Sequence, residues 1–275
     1  MNDGDEVRRF DAAKTYGDGA VAYEDAQRTY WMFLTDHVVE SLALRAGEHL
    51  LDVACGTGPA TIAAAHRVGP SGRAVGVDLA EPMLELASEK AAAAGLRNVE
   101  FRVADMTALP FEDASMDAVA CVLGIFFVED MAAALAELWR VVKVGGRLSV
   151  AVLGPRVFQP MAGPFREAVA HERPDLHTPL PWERTNDVDL VTNLFGRAGI
   201  VGVTVDYELR RFPLTPEAWW RIALGSGFRR WLVEIGPASS EAVRLHNAAW
   251  IESSDASALE IDAIYALATK QGDER

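Results

Sequence analysis

The stretch that most constrains this chain is His49–Thr61, HLLDVACGTGPAT. An apolar run, Leu50–Ala54, interrupted by Asp52, flows into Gly56-Thr57-Gly58, and an alanine-rich segment that scans as helix, Thr61–His66, comes next. The order is strand, glycine turn, helix. Two glycines around one small residue leave a ledge of bare N–H groups where backbone turns with positive φ or lies against a ligand. The ledge sits at the positive end of a helix.

Dinucleotide sites use glycines at the same place, so position has to separate the readings. A dinucleotide fingerprint carries a third glycine where this chain has Thr61, to bring the helix beside a pyrophosphate. Here Asp52 stands inside the strand, and a carboxylate there suits an ammonium group and repels a pyrophosphate. Asp52-Val53-Ala54-Cys55-Gly56-Thr57-Gly58 resembles the first motif of class I S-adenosylmethionine-dependent methyltransferases, acid-x-small-x-Gly-x-Gly. The resemblance implies S-adenosyl-L-methionine as cofactor and S-adenosyl-L-homocysteine as product. It puts Asp52, Ala54, Cys55, Gly56 and Gly58 at the cofactor. The alternatives are a protein that keeps this fold in a noncatalytic or repurposed role and an NAD-dependent oxidoreductase.

With 275 residues and half of them hydrophobic, the chain has ample core for one large domain or one with an appendage. Net charge −14 argues against a nucleic-acid partner, which needs a basic face. Arg210-Arg211 and Arg229-Arg230 are local exceptions, read as solvated surface or as a place for an acidic substrate group. The start, MNDGDEVRRF, has no apolar signal region, and the longest apolar run, Ala118–Val128, is too short to span a bilayer. A cytoplasmic protein without a membrane span is expected. Cys55 and Cys121 lack ligand spacing and read as reduced thiols.

Three further strands carry the cofactor reading onward. Arg73–Asp78 ends in an acid twenty residues after Gly58, the separation at which a strand-end carboxylate accepts both ribose hydroxyls. Pro82 then starts the helix Met83–Ala94, which places Leu79 and Met83 beside the adenine or ribose. Val99–Ala104 ends at Asp105-Met106, an acceptor for an exocyclic amine followed by an apolar residue for the ring. Asp117–Leu123 leads into Gly124-Ile125-Phe126-Phe127, so Leu123 borders the cofactor, and Phe126 and Phe127 face the substrate or serve as plain core. Met131–Val142 reads as an amphipathic helix capped by Gly145-Gly146, before the strand Arg147–Leu153.

From Asp105 onward the chain closely resembles the ubiquinone/menaquinone-biosynthesis branch and the broader type 11 methyltransferases, strongly over about residues 45–153. The resemblance implies an α/β, Rossmann-like three-layer sandwich with a mostly parallel seven-stranded sheet whose last strand is antiparallel. N-terminal helices often close over the cofactor in this superfamily, and Tyr16 corresponds to a tyrosine that can touch it. Residues 1–47 would form such a helical cap. Residues 48–212 and 258–275 would form the cofactor-binding core.

The remaining half carries the substrate question. Gly154–Asn186 is proline-rich, an ordered loop or lid with one helix at Phe165–His171. Val188–Ala198 reads as a helix, Val201–Tyr207 as the sixth strand and Ile261–Thr269 as the seventh. Between those strands an insertion, 213–257, carries Trp219, Trp220, Trp231 and Trp250 and reads as a helical lid. It could bury an apolar or aromatic acceptor, with Trp219 in contact, or anchor itself to the body or to a second copy in a homodimer. Quinone-family enzymes do not carry this insertion, so their substrate does not transfer. In-line methyl transfer to a small-molecule acceptor needs no metal, although Asp105 and Glu129-Asp130 could imitate a magnesium site. Candidates for a general base are His171, His177, Glu183 and His246. Trp182 and Arg184, within PWER, are candidate substrate contacts.

Overall fold

The computed structural model describes residues 11–176 and 179–272. Its centre is one seven-stranded sheet in the order β3-β2-β1-β4-β5-β7-β6. The strands are β1 (His49–Val53), β2 (Arg73–Asp78), β3 (Val99–Val103), β4 (Met116–Val122), β5 (Val142–Leu153), β6 (Thr204–Pro213) and β7 (Ala258–Thr269). β1 to β5 pair in parallel, and β7 lies antiparallel between β5 and β6. That is the expected mostly parallel sheet with its last strand reversed. β1 and β4 are buried almost throughout because helices cover both faces.

The helices are α1 (Ala12–Gly17), α2 (Ala20–Ala26), α3 (Met32–Ser41), α4 (Pro59–Val68), α5 (Glu81–Ala93), α6 (Met131–Arg140), α7 (Ala162–Glu172), α8 (Val188–Arg197), α9 (Pro216–Leu224) and α10 (Arg229–Ser253). α3 and the crossover helices α4 and α5 pack on one face of the sheet, and α6 and α8 on the other. Their starts follow from local chemistry. Asp130 caps α6 by accepting from the N–H groups of Ala132 and Ala133, and Asp187 caps α8 in the same way. Thr215 caps α9, with Pro216 in its first turn.

β7 begins at Ala258, three residues before the expected Ile261, and two other boundaries differ for a local reason. Gly145-Gly146 does not cap α6, which ends at Arg140; both glycines lie inside β5, where Gly145 holds φ 78° and donates to the Lys270 carbonyl at 2.7 Å. The glycines bend a strand next to a shift in the β4–β5 register. β6 starts and ends later than Val201–Tyr207 because Gly202, at φ 69°, breaks the extended run. The charged stretch Glu208–Arg211 continues it as an edge strand. Charges on an edge discourage pairing with another sheet, which is why polarity there hid a strand.

Above the carboxyl ends of the parallel strands, α1 and α2 approach from one side and α7, α9 and α10 from the other. α9 packs directly on α2. α10 is kinked at Gly236-Pro237, and its first half joins an aromatic cluster with Phe165, Trp219 and Phe228.

Candidate active site

The turn after β1 is built in two layers. Gly56 has φ 53°, and a Cβ there would project between Tyr23 and Met83, 3.6 and 3.9 Å away, into a cavity of about 300 Å³. Gly58, at φ 75°, faces the opposite way: a Cβ would lie 2.8 Å from the Phe101 ring and 2.9 Å from Ala87. Only the first glycine faces the cavity. The second lets α4 and α5 close on the sheet.

Asp52 likewise lies beneath the turn. It is fully buried, outside the cavity wall, and accepts the Thr61 hydroxyl at 2.6 Å. Burial pushes its carboxyl up to about 7, against the Thr61 hydrogen bond. Thr61 thus uses the position of a dinucleotide site's third glycine to hold the strand acid. Cys55 is also buried and contributes to the turn through its backbone.

Asp78 reaches the wall. One carboxylate oxygen accepts from the Gly56 N–H at 2.8 Å and the other from Ala80 at 3.0 Å, which fixes its plane at the end of β2 and leaves lone pairs for a ligand. Burial raises its pKa, partly offset by those hydrogen bonds. Leu79, Met83, Asp105, Met106 and Leu123 line the same side, with Asp105 held by the N–H and hydroxyl of Thr107, each at 2.8 Å. Ala54, Leu123 and Phe158 all line the cavity with φ of 56°, 56° and 66°. Left-handed backbone at non-glycine residues is costly and gathers at binding sites.

The N-terminal helices close the opening. Tyr16 packs edge-on to Tyr23 and to Phe127, with centroids 5.6 and 5.5 Å apart, and burial raises both tyrosines' pKa. Glu24 of α2 takes the Thr57 hydroxyl at 2.5 Å and the Lys90 ammonium at 2.8 Å, tying the cap to the glycine turn and to α5. Hydrogen bonds from Lys90 and Thr57 hold the Glu24 carboxyl below its usual range despite its burial.

The far end of the cavity is aromatic. Trp31, Phe126, Phe158 and Trp182 line it, together with Gly225, Ser226 and Gly227 from the turn between α9 and α10. The insertion therefore reaches the cavity through its backbone turn. Trp219 does not: it is buried behind Phe158, and its Nε1 donates to the Asn247 side-chain oxygen at 2.6 Å. Arg184 points away from the wall and donates to the carbonyls of Phe126, Val128 and Glu129, so it braces the Phe126-Phe127 turn.

None of the described base candidates lines the cavity. Glu183 pairs with Arg166 and accepts the Leu180 N–H, while His171 and His246 are exposed. His177 lies outside the described residues. Among the described residues, no cluster of histidine, cysteine and acids suits a metal ion. No helix among them is long and apolar enough to cross a membrane.

The ionisable groups on the described wall are Asp11, Tyr16, Tyr23, Asp78 and Asp105, with no lysine, arginine or histidine. Carboxylates and ring faces favour a cation and disfavour a pyrophosphate. The profile of the ubiE/COQ5 methyltransferase family matches residues 26–171, more than half of the 275-residue chain. The chain belongs to the ubiE/COQ5 methyltransferase family. That family is one of methyltransferases, so the match lends no support to the nicotinamide alternative. The demethylmenaquinone methyltransferase of Staphylococcus aureus is 44% identical over 109 residues, which are 40% of this chain and 44% of that enzyme. The match thus spans less than half the length of that curated relative. Phosphoethanolamine N-methyltransferase 2 from Haemonchus contortus, solved with phosphomonomethylethanolamine and S-adenosylhomocysteine, shares the fold at TM-score 0.60 and 18% identity, over 93% of this chain and 58% of that one. The [4+2]-cyclase SpnF does so at TM-score 0.55 and 20% identity, over 87% and 81%. Such likeness shows a fold, and one fold serves several reactions.

Tyr23, Trp31, Phe158 and the Gly225–Gly227 turn were not legible as site residues. Tyr23 stands in α2 and Tyr16 in α1, with a break at Asp18-Gly19 between them, so no single helical period links the two. The others come together only through tertiary packing.

Proposed function

We propose that this protein transfers a methyl group from S-adenosyl-L-methionine to a small, apolar or aromatic acceptor, at oxygen or carbon, as a cytoplasmic enzyme. The observation that carries the reading is Asp78, hydrogen-bonded to the Gly56 N–H in a cavity whose described ionisable wall is acidic and phenolic. Asp78 would accept the ribose hydroxyls, Asp105 and Met106 would border the adenine, and the space over Gly56 would take the methionine part. The bound cofactor supplies an electrophilic methyl on a cationic sulfur. The chain's own contribution is orientation and exclusion of water. Tyr16, Tyr23 and Phe127, packed edge-on to one another, would surround the positive centre with aromatic rings, and the Glu24–Lys90 pair ties α2 to α5. An apolar surround at Phe126, Phe158 and Trp182 would exclude water and favour a dispersed positive charge over a localised one.

The test is twofold. Calorimetry should show S-adenosylhomocysteine binding without NAD binding. Methyl-labelled cofactor offered with reduced naphthoquinones, phenols and catechols should then yield labelled product. Cofactor binding with no transfer across that panel would favour the repurposed role, and no cofactor binding would overturn both.

A further inference from the structure

Trp31 and Trp219 are both deeply buried and differ in whether the indole N–H is met. Trp219 packs in the insertion's core and satisfies its Nε1 on Asn247. Trp31 is 2% exposed and lines the acceptor end of the cavity, yet its Nε1 has no hydrogen-bond partner among the described residues. Polar neighbours do not fill the gap: the Gln27 amide on the same turn goes to the Thr35 hydroxyl at 3.4 Å and to the Met32 sulfur. A buried tryptophan normally finds an acceptor, because an unmade bond leaves the cost of desolvation uncompensated.

Two features tie this orphan donor to ligand recognition. Trp31 closes a π-helical turn, Gln27–Trp31, set between α2 and α3, and such turns are frequent where a helix is locally widened for function. Its ring also meets Phe158 edge-on at 5.8 Å, and Phe158 is the wall residue held at φ 66° that packs in turn on Trp182. Ser226, across from the strand ends on the insertion's turn, accepts from the Phe228 N–H and keeps its own hydroxyl proton available.

We propose that Trp31 sets acceptor specificity, its indole N–H donating a hydrogen bond to an oxygen carried on an aromatic acceptor: a ring hydroxyl, phenolate or ring carbonyl. The inference rests on the methyltransferase reading and adds what the acceptor must carry. The N–H is covered by protein atoms, so donation to an acceptor requires the indole to turn as the acceptor enters. A hydrocarbon of the same shape leaves the donor unpaired and binds more weakly.

The probes are 1-naphthol and naphthalene, titrated calorimetrically into protein saturated with S-adenosylhomocysteine. Wild type should prefer 1-naphthol by roughly 10-fold or more, and Trp31→Phe should bring the two within about 2-fold while S-adenosylhomocysteine affinity holds. In wild-type protein labelled with 15N-tryptophan, which needs no variant, one of the seven indole signals should move downfield with 1-naphthol and stay with naphthalene. The proposal is overturned if wild type shows no preference or binds neither probe, if Trp31→Phe retains the preference, or if no indole signal moves. Failure of wild type to bind S-adenosylhomocysteine would sink the methyltransferase reading instead. The indole shift, recorded without cofactor, would then still decide the role of Trp31.

Discussion

The two ends of the cavity are made by different means. The cofactor end is assembled at the strand ends of one sheet: the turn after β1 supplies Ala54 and Gly56, the end of β2 Asp78, the turn after β3 Asp105, and the turn after β4 Leu123. The acceptor end is assembled from segments far apart in sequence, Trp31, Phe158, Trp182 and Ser226, held by ring packing. Strand ends in a parallel sheet are positioned by backbone ladders, so a few residues at fixed spacing suffice. An aromatic box depends on the volume of every neighbour and tolerates repacking. The first end should be the same in every member of a fold family, and the second is where members part.

The sharpest test separates the glycines. Gly56→Val should reduce S-adenosylhomocysteine affinity by more than about 100-fold with the melting temperature little changed beyond the strain of positive φ, because its side chain enters the cavity. Gly58→Val should instead lower stability by about 2 kcal/mol or more, since the new Cβ collides with Phe101 and Ala87. Equal effects in both assays would erase the distinction between a ligand layer and a packing layer.

The tryptophans give the matching test at the other end. Trp219→Ala should cost about 3–5 kcal/mol in urea unfolding, as expected for a large ring removed from a packed core. Trp182→Ala opens the acceptor wall as well as the core, and should in addition raise the acceptor's KM about 10-fold with S-adenosylhomocysteine affinity unchanged. Should Trp182→Ala weaken cofactor binding as much as acceptor binding, the two ends are one site. Asp78→Ala works the other way, weakening S-adenosylhomocysteine by about 1–3 kcal/mol through lost hydrogen bonds to ribose, with acceptor selectivity preserved.

Sequence made the first end legible and left the second mostly dark. The spacing from Gly58 to Asp78 located a strand-end carboxylate that the structure does place beside Gly56. Leu79, Met83, Asp105, Met106 and Leu123 also fall on the wall, because the connections after β2, β3 and β4 begin at that edge. Tyr16 joins them through α1. At the other end, Phe126, Phe127 and Trp182 reach the cavity, whereas Arg184 and Trp219 turn to structural work. A tryptophan inside an amphipathic helix looks the same in sequence whether its neighbour is a cavity or a core. Nothing in the spacing says that the backbone turn Gly225–Gly227, and not the ring of Trp219, meets the ligand. The edge strand β6 was misplaced for a related reason, since its charges answer to solvent and to aggregation and carry no core periodicity.

Asp52 offers the smallest and most discriminating effect, because the sequence assigns it to the cofactor and the structure seats it beneath the turn. Its carboxyl titrates at about 7 when folded, well above the ordinary 3.8. Between those values the folded chain holds a proton that the unfolded chain has lost, so the stability this group contributes is present below about pH 4 and lost as pH rises through about 7. Asp52→Asn keeps an acceptor for the Thr61 hydroxyl and removes the titration. The variant should gain on wild type in melting temperature, by a few degrees, as pH is raised from about 5 to about 8. If Asp52 only supports the turn, S-adenosylhomocysteine affinity will follow the same pH course in both proteins. If the cofactor's ammonium engages it, binding must drive off the proton, and wild-type affinity alone will climb through about pH 7. That outcome would move Asp52 from the packing layer to the ligand layer, and with it the line between what the glycine turn holds and what holds the glycine turn.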